Sequence, residues 1–313
     1  MSYVVPVFNK APWLPAVLAA LKAQRGNFER EYIFVDDGST DGSLAVLREA
    51  TQGWTNVTIV TQANAGSAAA TNAGIARARL PFIKFCDADD LLAADATRIL
   101  LAALVADPEA CLAYGARHWY RPGETPALDQ PLAPGPVARI DDPVRPALRN
   151  SLFNPTQFLV RTDRVKASGG CDERIVFSQE YSLTLRLALQ GPFLRVDTPV
   201  AWLLHEADGR LSGNTGRQLQ RVTLACANFL RDHPALPRDI RRFACRRAAG
   251  RAWRWQKRHR RASVLSPWFA RYLLSFLPAQ TDPAAFIESC AAAFDDTGAA
   301  LPNAPTAGMI APR

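Results

Sequence analysis

Short apolar runs alternate with amphipathic stretches through the first third of the chain. Tyr3–Val7, Tyr32–Val35, Val57–Val60 and Pro81–Cys86 are brief and rich in Val, Ile, Tyr and Phe, which predicts buried strands. Between them, Pro12–Ala23 repeats Leu14, Val17, Leu18 and Leu21 on one helical face. Gly42–Ala50, opened by Asp41, the small-residue segment Ser67–Arg77 and Ala93–Val105 also read as helices. Such alternation with short loops predicts an α/β protein, a mostly parallel sheet covered by helices on both faces. Ligands of these sheets bind at the C-terminal strand ends. The polar signals lie there: Asn9, then Asp36–Thr40, then Asn64–Gly66, then the acids of residues 87–90.

The rhythm then changes. Cys111–Tyr120 and Gln157–Arg161 read as strands, and the Pro- and Gly-rich Arg121–Val144 as a long loop or lid. Gly169–Glu173 is a turn and Gln179–Gln190 a Leu-rich helix. Phe193–Val196 and Val200–Leu204 are two strands, and His205–Thr215 is a polar loop. From Gly216 the pattern is helical. Ile240, Phe243, Ala244, Ala248, Ala252 and Trp255 form an apolar stripe beside a basic one of Arg247, Arg251, Arg254, Arg258 and Arg261. Residues 299–313 read as a disordered tail. The organisation expected is one domain in two halves, 1–112 and 113–215, followed by a basic helical extension over 216–298.

Composition narrows the class. The 313 residues are 48% hydrophobic and 21% charged, as in globular proteins with a sizeable core. No apolar stretch is long enough to span a bilayer, and no signal peptide is evident. Six scattered cysteines without a CxxC pair argue against zinc and for reduced thiols in the cytosol. The net charge of +8 is concentrated: fifteen Lys and Arg face two acids between Arg217 and Arg271. A solvated helical face and an anionic membrane surface for residues 238–278 both fit, the latter because Trp253, Trp255, Trp268 and Phe269 interleave with the arginines. Nucleic acid binding is disfavoured, since no recognised nucleic-acid fold is present.

The chemistry is concentrated in FCDADD (85–90). Carboxylates at the end of a buried strand are costly without compensation. Asp87 and Asp89 fall on the same side of an extended segment and offer the hard oxygens that Mg2+ or Mn2+ prefers. Asp90 reads as a cap for the next helix.

Taken together, PVFN (6–9), VDDGSTDGS (35–43), the NAG and AATNAG stretches of 64–74, DADD (87–90), GGCDE (169–173) and QEYSLTLRL (179–187) resemble family 2 glycosyltransferases of the GT-A fold, over about residues 1–215. The resemblance implies inverting transfer of a sugar from a nucleotide diphosphate-sugar, assisted by a divalent cation, with a nucleotide-sugar-binding half over 1–112 and an acceptor-binding half over 113–215. Carried over by position, Pro6, Phe8 and Asn9 line the base and Asp37 accepts from base or ribose. Asn64 and Gly66 border the nucleotide, and Asp87 and Ala88 border the nucleotide-sugar. Asp87 and Asp89 hold Mg2+ or Mn2+, with His205 as a further metal or pyrophosphate contact. The general base falls on Glu180, where the family has Asp. The acid that precedes it is replaced by Gln179, and losing that like charge favours ionisation of Glu180. Thr71 stands where the family carries Arg, and Arg210 is the candidate substitute. Asp90 touches a sugar or caps the next helix, and Asp172 and Glu173 contact an acceptor hydroxyl or simply cap the turn.

The expectation is a cytosolic or peripheral inner-membrane enzyme with a sugar or lipid-linked acceptor, in surface polysaccharide or glycolipid assembly. Two alternatives remain. A sugar-nucleotide nucleotidyltransferase would carry a Gly-rich basic loop after the first strand, where PVFNKAPW stands. A catalytically silent nucleotide- or sugar-binding module is kept open by Gln179 and Thr71.

Overall fold

The computed structural model describes residues 1–175, 179–205, 215–277 and 281–294. The expected parallel strands are present as β1 (Ser2–Val7), β2 (Glu31–Asp36), β3 (Val57–Thr61) and β4 (Phe82–Phe85). They are joined by α1 (Leu14–Lys22), α2 (Ser43–Ala50) and α3 (Ser67–Arg77). β1 pairs in parallel with both β2 and β4, and β2 with β3. α3 sits close on β1 because of Gly74: a Cβ there would lie 2.4 Å from Val4 Cγ1.

The second half adds β5 (Leu91–Leu92), α4 (Ala96–Ala106), β6 (Leu112–Tyr120), β7 (Val137–Ile140), α5 (Val144–Arg149), β8 (Phe158–Arg161), α6 (Thr162–Ala167), α7 (Gln179–Leu187) and β9 (Phe193–Leu204). The nine-stranded sheet runs β3-β2-β1-β4-β8-β6-β9-β5, with β7 on β9. β8 is antiparallel to both β4 and β6, so β6 and its parallel partner β9 run in the same sense as β4. Their C-terminal ends therefore reach the same rim as the end of β4.

Three expectations need correction. The two strands foreseen over 193–204 are one strand, interrupted only by a register shift opposite Gly115–Arg117. The long loop 121–144 contains β7, whose alternation is too short to register between prolines. Asp90 does not cap α4, which starts six residues later, at Ala96 behind the N-cap position Asp95.

Two apolar cores flank the sheet. One, under α1, α2 and α4, gathers Tyr3, Val5, Leu14, Phe34, Leu47 and Leu100. The other gathers Val4, Ile33, Phe85, Phe158 and Tyr181 and continues into the C-terminal helices. These are α8 (Thr215–Asp232), α9 (Arg238–His259), α10 (Pro267–Leu274) and α11 (Pro283–Ala291). Phe229, Ile240, Ala248 and Ile287 belong to that same core, so the helical extension is built onto the sheet. Among the described residues no helix is long and apolar enough to cross a membrane.

Candidate active site

The loops after β1 and β2 are tied together before any ligand is considered. Asn9 adopts a left-handed backbone, φ 51°, which asparagine tolerates better than most residues. Its Oδ1 accepts from Thr40 N at 2.8 Å and its N donates to Ser39 Oγ at 3.1 Å. Asp41 stands one residue ahead of the N-cap position, Gly42, of α2. It accepts from Ser43 N, the first N–H of α2, and from Ala11 N, holding one loop to the other.

Asp37 is almost fully buried and does similar work on the next loop. It accepts from Gln62 Nε2 at 2.8 Å and from the backbone N–H groups of Ala65 and Gly66 at 2.9 Å each. Gly38 allows the loops to approach, since a Cβ there would lie 2.9 Å from Asn64 N. Three acceptor positions used leave Asp37 about one of its four for a ligand. Its neighbour Asp36 keeps a buried Oδ1 without a hydrogen-bond partner. Phe8 is 43% exposed and Asn64 is exposed on the same rim, whereas Ala88 is buried in the α1 side core.

The acidic turn after β4 is held from below. Lys84 is fully buried and donates to Thr156 O at 2.6 Å and Phe85 O at 3.0 Å. Burial pushes its pKa down to about 8, against the opposing pull of Cys86, Asp87 and Asp90. The Thr156 hydroxyl accepts from Asp87 N at 3.0 Å and donates to Asp90 Oδ2 at 2.9 Å. Asp90 Oδ1 accepts from Leu204 N at 3.1 Å, and Tyr120 Oη donates to Asp89 O at 2.6 Å. Both carboxylate oxygens of Asp90 are thus committed to the protein, and only 1% of the residue is exposed. Asp90 is a strut of the turn, neither a cap nor an open sugar contact.

Asp87 and Glu180 line one small cleft together with Pro6, Thr71, Pro155 and Gln179. Burial and the charges of Asp90, Asp89 and Glu180 raise the Asp87 pKa well above the usual carboxylate range, with Lys10 opposing. Burial likewise raises Glu180. The expectation that losing the acid at 179 eases Glu180 ionisation therefore yields to a larger effect, desolvation. Gln179 accepts from Ser67 Oγ at 2.8 Å, tying the start of α7 to the start of α3. Thr71 Oγ1 donates to Ser67 O and supplies no charge. A cation does reach the acids from another direction: Lys10 Nζ lies 2.6 Å from Asp89 Oδ2.

The remaining site expectations divide. Among the described residues no three His, Cys, Asp or Glu side chains group to hold a metal, and the His205 ring is engaged with another side chain. Its ring stands edge-on to Trp119, centroids 5.3 Å apart. Asp172 is buried and bound by Arg174 Nε at 2.7 Å and Asn228 Nδ2 at 2.9 Å. Burial alone raises its pKa, but these hydrogen bonds outweigh that and hold it low. It is a clasp to α8 rather than an acceptor contact. Exposed Glu173 accepts from Asn72 Nδ2 at 2.7 Å. Arg210 and the tail 299–313 lie outside the described residues.

Sequence reasoning missed Lys10, Lys84, Thr156 and Trp119. Lys84 carried a legible signal, a lone charge inside an apolar strand. The others had none until the fold joined them. Trp119 is exposed, with the Arg117 guanidinium 4.9 Å from its ring centre. Arg117 also donates to Gln157, between the cleft-lining Pro155 and Phe158.

A mostly parallel sheet with antiparallel β8 inserted between β4 and β6, and an acidic turn on its C-terminal rim, matches a GT-A glycosyltransferase fold. The model of glycosyl transferase family 2 matches residues 2–164, and the chain belongs to that family. It is 30% identical over 242 residues to the O-antigen biosynthesis protein RfbC of Myxococcus xanthus, spanning 75% of this chain and 18% of that protein. It is 36% identical over 93 residues to the undecaprenyl-phosphate 4-deoxy-4-formamido-L-arabinose transferase of Aeromonas hydrophila, 28% of either chain. The matches thus cover well under half the length of these relatives. S. aureus TarS 1–349 in complex with UDP-GlcNAc has a TM-score of 0.59 at 15% identity, covering 94% of this chain and 90% of that one. Mannosyltransferase PcManGT from Pyrobaculum calidifontis, in complex with GDP-Man and Mn2+, has a TM-score of 0.56 at 17% identity, covering 94% and 84%. At these identities the likeness is one of fold.

Proposed function

We propose that the chain transfers a sugar, with inversion, from a nucleotide diphosphate-sugar to a hydroxyl of a sugar or lipid-linked acceptor in surface glycan assembly. The observation that carries the reading is the shared cleft of Asp87 and Glu180, at the strand ends where this fold receives ligands. The names of the relatives, one in O-antigen biosynthesis and one acting on undecaprenyl phosphate, favour the same substrate classes.

Inversion by a single displacement needs a base on the acceptor hydroxyl and relief of charge on the leaving diphosphate. Glu180 is the base: its burial brings its pKa closer to neutrality, which suits a carboxylate that must take a proton and release it. Pro6, Phe8 and Asn9 line the base, while the one acceptor position left on Asp37 meets a base N–H or ribose hydroxyl. Asn64 and Gly66 border the nucleotide.

The donor set at the acidic turn fits Mg2+ or Mn2+. Asp87 is crowded by three carboxylates and opposed by one partly exposed lysine, a charge imbalance that a hard divalent cation relieves. Asp87 and Asp89 would hold it. When bound, such an ion neutralises charge developing on the diphosphate.

The test is thermal stabilisation by UDP-, GDP- and dTDP-sugars, each with and without Mn2+. One of them should raise the melting temperature in a metal-dependent way, and Asp89→Ala should abolish the metal dependence. Stabilisation equal with EDTA and in Asp89→Ala would sink the metal assignment. No stabilisation by any of them would sink the donor reading.

A further inference from the structure

The basic C-terminal helices resolve differently in three dimensions from their sequence pattern. The tryptophans that interleave with the arginines turn inward. Trp253 is buried and meets Phe269 with ring centres 5.0 Å apart, Trp255 stacks on His259 at 3.7 Å, and Trp268 packs against the core. Arg247 is also engaged, donating to Arg149 O and Asn150 Oδ1.

What faces outward is a different set. Val264, Leu265, Leu273, Leu274, Phe276 and Leu277 are exposed, Leu265 at 92% and Val264 at 62%. They make up six of the eleven exposed large hydrophobic residues of the described chain, within fourteen consecutive positions. Singly exposed apolar residues are ordinary, but such a concentration marks an interaction surface. α10 itself buries no residue. Immediately before this stretch, Arg254, Lys257, Arg258, Arg260 and Arg261 are all exposed. Between residues 240 and 281 there are eleven Lys and Arg and no Asp or Glu.

We propose that Val264–Leu277 and the basic side chains preceding it seat the protein on an anionic lipid bilayer. Apolar side chains enter the headgroup boundary while the arginines meet lipid phosphates. At eight residues α10 is about 12 Å long, less than half the roughly 30 Å hydrocarbon core, so it lies in the interface and does not span it. A second copy of the chain is the poorer occupant, because a self-paired contact sets two strongly cationic segments against each other. The surface stands independently of the reaction.

The experiment is sedimentation of the full chain with vesicles of phosphatidylcholine alone, or with about one third phosphatidylglycerol. The protein should bind the anionic vesicles at least about tenfold more tightly, and weaken as salt rises from about 0.1 to 0.5 M. Leu265→Asp combined with Leu274→Asp should reduce binding at least about tenfold. Independently, Arg258→Glu, Arg260→Glu and Arg261→Glu together should do the same with circular dichroism unchanged. No binding to anionic vesicles, or binding that survives both variants, overturns the proposal. So does a vesicle-free dimer in sedimentation velocity that either variant dissociates.

Discussion

The ammonium of Lys10 lies 2.6 Å from Oδ2 of Asp89, joining the loop after β1 to the acidic turn after β4. A protein cation thus sits on an oxygen assigned to a divalent ion. Lys10 is partly exposed, so the pair contributes only about 0.5–1 kcal/mol. Lys10→Met should therefore tighten Mn2+ binding to the ligand-free protein by about two- to fivefold in titration calorimetry. Unchanged or weaker binding would contradict competition at Asp89.

Thr156 joins the acidic turn through one hydroxyl, which serves both Asp87 N and Asp90 Oδ2. Thr156→Val leaves those buried groups unpaired and should cost about 1–3 kcal/mol in denaturant unfolding. Thr156→Ser, which keeps the hydroxyl, should recover most of that loss.

Asp172 and Glu173 are adjacent acids with opposite fates. Asp172→Ala breaks the buried clasp through Arg174 and Asn228 and should cost about 2–4 kcal/mol, tempered by the half-exposed arginine. Exposed Glu173→Ala should cost less than about 1 kcal/mol. Because the folded Asp172 pKa is depressed, its contribution is present above its unfolded pKa and disappears as pH falls through the folded value. The difference between wild type and Asp172→Ala should accordingly narrow in acid unfolding experiments.

Glu180 has the opposite sign. Its folded pKa is raised, so the native state binds more protons than the unfolded state between the two values, and stability falls as pH rises through that window. Glu180→Gln should raise the melting temperature near neutral pH. That advantage should vanish below the ordinary glutamate pKa of about 4.3. A variant no more stable than wild type at neutral pH would contradict the burial of this carboxyl.

The strand–helix rhythm of residues 3–105 was legible because each element is short, regular and closed by its own turn, and the rim loops followed from it. β7 was not legible: four residues in a Pro-rich stretch gain their order only by pairing with β9. The site was readable as a set of acids but not by role. Asp37, Asp90 and Asp172 look alike in sequence to Asp87. What separates them is the donors that the fold brings: Gly66 N to Asp37, Leu204 N to Asp90, Arg174 to Asp172. Local pattern carries no information about such distant partners, and the lysine on Asp89 comes from 79 positions away.

The most direct measurement is sugar transfer by Glu180→Gln, beside nucleotide-sugar affinity for the same variant. With Glu180 as the base, affinity for the stabilising donor stays near wild type while turnover falls by about 10²- to 10⁴-fold. Turnover that survives the substitution would contradict the account.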